Sequence, residues 1–362
     1  MYAKVEKIEV DESKRIICIS DIHGNLDALK GLLDNLKFTR DDILIILGDL
    51  VEKGPKNLET LRYIMKLKQE YEVYVVCGNC DAITKEIINP EENPRLLSYL
   101  LLGCNTLINE MLDGIKYDLH SDSDLLTIRE LLLNHYQDEL NFIINLPDII
   151  EMKNFIFVHG GLTDSPIDEQ DQNRVRRMDE FMNHGTNFNK YVIVGHWPVA
   201  LYSKKYPNYN PLVCRDKRII SIDGGNIVTA DGQLNGFVIP NMNSEDFTFE
   251  SYDTLKSATV MENQEENIDS IYIPWTNNHI HVLKKEEEFS YCKHISSEQC
   301  MWILNKFIYS DTTGYRCEDS TNYQIPLKAF ENIKVVEDTS RGYYVKKNGI
   351  CGWYYGNLKY AN

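Results

Sequence analysis

The chain reads as an α/β protein built on a parallel sheet, with a smaller, mainly β region after it. Three observations predict this. Short β-branched runs alternate with amphipathic helical runs between residues 14 and 80. Strand-like runs resume after a Leu-rich, charge-studded stretch at 82–147. The composition then turns polar after about Pro240.

RIICIS (15–20) is a short buried-strand pattern, and LDALKGLLDNLKF follows it with Leu26, Leu29, Leu32, Leu33 and Leu36 at helical spacing. DILIIL (42–47) is the next strand, NLETLRYIMKLKQ (57–69) the next amphipathic helix, and EVYVV (72–76) the third strand. Strands and helices alternating at such short intervals imply βαβ units, hence parallel pairing. SDLLTIRELLLNHYQDELNFIINLP belongs to a helical insertion over 82–147, after which FIFV (155–158), YVIV (191–194), RIISID (218–223) and GFVI (236–239) continue the strand series. Residues 1–242 are expected to form one domain and 245–362 a small, mainly β second one. The polar stretch NMNSEDFTFESYDTLKSATVMENQEENIDS reads as a loop-like linker, SSEQCMWILNKFIYS as a helix, and YYVKKNGICGWYYG as a hairpin with a type I′ turn at Asn348-Gly349. That closing segment resembles SH3-like barrels. His279 and His281 share a strand face, for which a surface or core role is expected.

The formal net charge of −17 argues against nucleic acid as the main partner, because phosphate binding wants Lys/Arg stripes. The chain has no stretch of 18 apolar residues that would cross a membrane, and its start, MYAKVEKIEVDESK, has no apolar signal segment. Nine cysteines without a repeating framework suit free thiols in a reducing cytoplasm.

Polar residues fit for metal binding stand at the end of each strand. SDIHGN supplies Asp21 and His23, GDLVEKGP supplies Asp49 with Glu52 and Lys53 behind it, GNCD supplies Asn79, HGGL supplies His159 and GHWP supplies His196. In an open α/β sheet the carboxyl ends of the strands face one crevice, so these side chains are expected to converge there. Each pair alone is weak, and a single Gly-His after a strand is usually structural. The whole series, on five separate strand ends, points to a metal or catalytic centre. Cys77-Gly-Asn-Cys80 by itself would suit a redox dithiol, whereas the strand EVYVV before it makes Asn79 the donor and Cys77 a buried thiol.

This series resembles the calcineurin-like metallophosphoesterase superfamily over residues 15–240, and most of all its PPP, serine/threonine protein phosphatase-like branch in compact bacterial form. The resemblance implies a β-sandwich flanked by helices and two divalent metal ions, manganese first, with iron, zinc or cobalt as alternatives. Asp21 and His23 would bind the first ion, Asp49 would bridge both, and Asn79, His159 and His196 would hold the second. The implied activity is hydrolysis of a phosphoric ester by a hydroxide shared between the metals. Asp49, Asn79, Cys80, Glu52 and Lys53 are the candidate catalytic residues, and Arg174, Arg176 and Arg177 are further candidates for phosphate contact.

Two positions depart from the family pattern. Cys80 stands where the family has a histidine that, with an acid at the position of Glu52, protonates the leaving group; Lys53 stands where it has an arginine. GNCD also occurs in diesterase-like members, while HGGL and GHWP match the PPP branch and bacterial dinucleoside polyphosphate hydrolases. The expected substrates are therefore a phosphoprotein or a nucleotide or other small phosphoester. A phosphodiesterase or dinucleoside polyphosphate hydrolase is the alternative, and a non-catalytic phosphate-binding module is the reading from another class. The C-terminal domain is expected to offer a surface to a protein partner.

Overall fold

The computed structural model describes residues 1–93, 95–103 and 105–360. The first half follows the expected alternation: β1 (Val5–Lys7), β2 (Arg15–Ile19), α1 (Leu26–Asn35), β3 (Asp42–Ile46), α2 (Asn57–Glu70) and β4 (Glu72–Val75). The insertion contributes α3 (Asn79–Glu86), α4 (Leu96–Leu100), α5 (Leu107–Gly114), α6 (Leu125–His135) and α7 (Gln137–Asn145). Then come β5 (Ile149–Glu151), β6 (Phe155–Val158), α8 (Gln172–Arg176), β7 (Tyr191–Val194), β8 (Leu212–Cys214), β9 (Ile219–Ser221), β10 (Leu234–Ile239) and β11 (Thr248–Tyr252).

These strands form two sheets, with orders β11-β10-β2-β3-β4 and β1-β5-β6-β7-β9-β8. The alternation of side chains along each strand explains why the two sheets stack. In β2 and β3, Ile16, Cys18, Ile43 and Ile45 face a core that includes Phe155, Phe157, Ile193 and Ile220 from the other sheet. Ile17, Ile19, Leu44 and Ile46 face the opposite way, onto Leu29, Leu32, Leu61 and Ile64 of the helices. A third core packs Val158, Val192 and Ile219 against Val175, Met178 and Phe181. The result is a β-sandwich with helices on both outer faces. A run that is apolar on both faces, ILII at 43–46, is required because both faces of β3 are covered. Within the sheets β2, β3 and β4 are mutually parallel, as are β6, β7 and β9, so their carboxyl ends fall on one edge of each sheet.

The chain divides into two compact units, Met1–Pro198 with Pro211–Asp253, and Val199–Asn210 with the residues from Thr254 onward. The boundary expected near 242–245 lies just ahead of β11, which pairs antiparallel with β10. The polar stretch read as a linker is therefore partly strand, at Thr248–Tyr252 and Lys256–Val260. Among the described residues the second unit has two five-stranded sheets and a two-stranded one, and its helical elements are short 3-10 turns. The helix expected in SSEQCMWILNKFIYS is a strand, Cys300–Leu304, paired with Phe289–His294. Five apolar residues between turns do not distinguish a strand from a buried helix by periodicity, and the flanking strand decided. The hairpin Gly342–Lys347 to Ile350–Tyr354 is as expected, with Asn348 and Gly349 both left-handed at φ 49° and 75°, the requirement of a type I′ turn.

Candidate metal centre

The loops that leave the strand ends are bound to one another. Asp21 N–H donates to the Gly48 carbonyl at 3.2 Å, His23 N–H to the Asp49 carbonyl at 2.9 Å, and Gly24 N–H to the Leu50 carbonyl at 2.9 Å, so the loops after β2 and β3 zip together. Gly195 N–H donates to the His159 carbonyl at 2.9 Å, joining the loops after β6 and β7. The two sheets are linked where His196 N–H donates to Asp21 Oδ2 at 3.0 Å. Gly78 and Gly195 sit where a Cβ would strike Asp49 and the Ser20–Asp21 side chains, which is why the motifs carry glycine there. Asp21, His23, Asp49, Glu52, Lys53 and His196 are non-glycine residues in the left-handed region, at φ between 49° and 75°. Such conformations cost about 1–3 kcal/mol each and cluster at functional sites.

Asp81, the third residue of α3, is the anchor of this loop assembly. Its buried carboxylate accepts from the backbone N–H of Gly78 at 2.8 Å, Asp49 at 2.8 Å and Leu50 at 2.9 Å. Burial and the neighbouring Asp49 push its pKa up to about 6. Asn226, on the loop after β9, performs a similar task from the other sheet. Its Nδ2 donates to the Ile22 carbonyl at 2.9 Å and the Asp21 carbonyl at 3.3 Å, and its Oδ1 accepts from Asn25 at 2.9 Å.

Inside the frame the side chains converge. His159 Nε2 lies 3.4 Å from Asp49 Oδ1 and 3.1 Å from Asn79 Oδ1. His23 Nε2 lies 3.8 Å from both Asp21 Oδ1 and Asp49 Oδ2. Asp21, His23, Asp49 and His159 are all buried. His159 Nδ1 faces the Leu47 carbonyl at 2.6 Å, which fixes its proton there and leaves the Nε2 lone pair turned toward Asp49. His196 stands beside it, ring centroids 5.2 Å apart, with Nε2 3.1 Å from Asp179. Among the described residues, two sets of three donors each lie within 4.8 Å of one another: Asp21, Asp49 and His159, and His23, Asp49 and Cys80. Asp49 belongs to both.

Electrostatics follow from this crowding. Burial alone would raise Asp49, but His159, His23 and Lys53 hold its carboxyl well below the ordinary range. His159 is raised, because Asp49 and Asp21 outweigh its burial, whereas His23 and His196 are lowered, chiefly by burial. Lys53 points into the centre, Nζ 3.4 Å from His23 Nε2; burial works against its charge, but Cys80, Asp49, Asp21 and Asp223 raise it above the usual lysine value. Asp223, at the end of β9, is a buried carboxyl of this centre that sequence reasoning did not select. Burial and Asp21 push it far up. The signal was present, since RIISID also ends a strand in an acid.

The other expected residues fall as follows. Glu52 turns toward the insertion, accepting from Leu107 N–H at 2.9 Å and Tyr99 O–H at 3.0 Å, and burial pushes its pKa up to about 7. Cys80 is buried, its N–H donates to Asp49 Oδ1 at 2.8 Å, and burial together with Asp49 raises its thiol far up. Cys77 is a buried free thiol raised to about 12 by burial, unlike the depressed thiols of redox dithiols. Arg176 is a correction to the phosphate-contact expectation: it is buried and its Nε donates to Asp148 at 2.6 Å. Arg174 and Arg177 are exposed. His281 is exposed on its strand, and His279 Nε2 lies 3.1 Å from the Thr313 hydroxyl oxygen.

The donor chemistry fits divalent ions. Donors about 2.0–2.2 Å from a common ion lie roughly 3–3.5 Å from one another, close to the 3.1–3.8 Å spacings here, which are mostly too long for hydrogen bonds. A sandwich whose two sheets bring such donors to a shared edge defines a candidate centre for divalent metal ions. Residues 14–222 match the calcineurin-like phosphoesterase family model, and the chain belongs to that family. Among its relatives, the symmetrical bis(5'-nucleosyl)-tetraphosphatase of Wigglesworthia glossinidia brevipalpis is 29% identical over 49% of this chain and 83% of that protein. The asymmetrical bis(5'-nucleosyl)-tetraphosphatase PrpE of Bacillus subtilis is 24% identical over 62% of this chain and 90% of that one. A serine/threonine phosphatase structure from Saccharomyces cerevisiae aligns with 70% of this chain and 84% of its own, at 10% identity and a TM-score of 0.40.

Proposed function

We propose that residues 1–242 carry a hydrolytic centre in which Asp21, His23, Asp49, Asn79, His159 and His196 hold two divalent ions, with Asp49 shared. Manganese is the first candidate, with iron, zinc and cobalt also suited to mixed nitrogen and oxygen donors. The observation that supports this most is the placing of one buried carboxylate, Asp49, between the lone-pair nitrogens of His159 and His23, at 3.4 and 3.8 Å. When bound, such a pair supplies positive charge to phosphoryl oxygens and acidifies water at the site.

The chain's own residues suggest the substrate. Lys53 keeps an ammonium in the centre as a point charge for a phosphoryl oxygen, without the two-pronged grip of arginine. His196 would bind through Nδ1, because its Nε2 faces Asp179. No imidazole stands at position 80, and a buried thiol with a strongly raised pKa is a poor donor to a departing alkoxide. The centre therefore suits leaving groups that depart without a proton, such as the nucleotide expelled from a phosphoanhydride. The names of the relatives agree with this reading, and a bis(5'-nucleosyl) polyphosphate is the proposed substrate, in the cytoplasm. Hydrolysis of phosphoserine, whose alkoxide needs protonation, comes second. The C-terminal unit is proposed to serve substrate or partner choice.

The test is kcat/KM with added Mn²⁺ on a bis(5'-nucleosyl) tetraphosphate and on a phosphoserine peptide. The anhydride should be favoured by at least about 10²-fold, the usual share of a positioned acid. A preference for the peptide would refute the substrate assignment.

A further inference from the structure

The His23–Asp49–Cys80 group carries an inference that deepens the proposed function and rests on its metal centre. We propose that Cys80 Sγ is a ligand, joining Asp21, His23 and Asp49 around the ion on that side. The two ion positions would then be chemically unlike: one with a sulfur donor, the other with only the nitrogen and oxygen of Asp49, Asn79, His159 and His196.

Three observations lead there. A His23 ring nitrogen, an Asp49 oxygen and Cys80 Sγ all lie within 4.8 Å of one another, and all three residues are buried. Cys80 is fixed in place, because its own N–H is tied to Asp49 Oδ1 at 2.8 Å in the first turn of α3. Adjacent helical residues project about 100° apart. Asn79 turns its oxygen to His159 at 3.1 Å while its Nδ2 donates to Cys80 Sγ at 3.4 Å, and that sulfur lies with His23 and the shared Asp49 carboxylate. Cys77, three residues earlier, has its sulfur directed at the Gly78 carbonyl at 3.4 Å and belongs to neither donor set.

On binding of the ion the Sγ–H bond would break, the proton passing to solvent, and the sulfur lone pair would serve as the donor, as ligating thiols do when a divalent cation binds. A thiolate donor favours zinc, iron or cobalt over manganese at that position. It also accounts for an enzyme centre without the leaving-group acid, since a ligating sulfur has no proton to give.

The experiment uses the full chain loaded with Co²⁺ and its Cys80→Ser and Cys77→Ser variants, followed by near-ultraviolet absorption and metal content. Wild type and Cys77→Ser should bind about two cobalt ions and give a sulfur-to-cobalt charge-transfer band. Cys80→Ser should lose the band, and its zinc affinity should fall by more than the roughly 10–100-fold typical of losing an outer-sphere partner. Two cobalt ions bound by wild type without the band would overturn the assignment, whatever the fate of the variants, and leave the metal centre standing. A chain that binds no cobalt would overturn both.

Discussion

Replacing Asp81 by alanine tests how the loops of the centre are held. The carboxylate accepts three buried backbone N–H groups, from Gly78, Asp49 and Leu50. Alanine leaves all three without an acceptor, at about 2 kcal/mol each, or about 6 kcal/mol in all. Against this stands the relief of a buried charge whose pKa is pushed up to about 6 from an ordinary 3.9, worth about 3 kcal/mol at pH 8. The net loss is about 3 kcal/mol. Asparagine keeps an oxygen for the two N–H groups that share Oδ2 and removes the charge, so Asp81→Asn should stay within about 1 kcal/mol of wild type. Because two compact units need not unfold in one transition, the assay is native-state hydrogen exchange at the Asp49, Leu50 and Gly78 amides. Asp81→Ala should accelerate it on the order of 10²-fold and Asp81→Asn less than about tenfold. Equal protection in the alanine and asparagine variants would refute the anchoring argument.

Glu52 gives a pH dependence. Its folded pKa, raised by burial to about 7, exceeds the unfolded value near 4.3, so in the metal-free protein the folded state binds the proton more tightly. Stability from this group is full below about pH 4.3 and is lost as pH rises to about 7, by up to about 3 kcal/mol; Glu52→Gln should flatten that fall in unfolding curves at pH 4 to 8. A chain ending at residue 253 should keep its hydrolytic centre but lose solubility. Residues 199–210 pack within the second unit, where Tyr209 is wholly buried and its N–H donates to the Gly349 carbonyl at 2.8 Å. A freely soluble, active truncation would show that this segment has no need of that unit.

The strands at 15–20, 42–47 and 72–76 and the helices between them were legible because each is a dense apolar run or a clear helical stripe. The pairing of two sheets was legible only through the family resemblance, since a βαβ beginning is equally consistent with one sheet covered by helices. The candidate donors were legible as polar residues at strand ends, a local signal. Asp81 as an anchor and Asn226 as a clamp were not, because apart from Gly78 their partners lie 31–32 and 201–205 residues away. The left-handed backbone at Asp21, His23, Asp49 and His196 was equally hidden, for none of these is a glycine. Sequence pattern also misassigned CMWIL, where the neighbouring strand Phe289–His294 outweighed local preference.

The central claim is that Asp49 is shared by two metal ions that hydrolysis requires. The most direct measurement is metal content and turnover of a bis(5'-nucleosyl) tetraphosphate by wild type and Asp49→Asn, each stripped by chelator and reloaded with Mn²⁺. Wild type should regain about two ions per chain together with activity, and Asp49→Asn, folded by circular dichroism, should regain neither fully and turn over at least about 10³-fold slower. Activity that survives chelation in wild type, or an Asp49→Asn variant that binds two ions and hydrolyses at the wild-type rate, would contradict it.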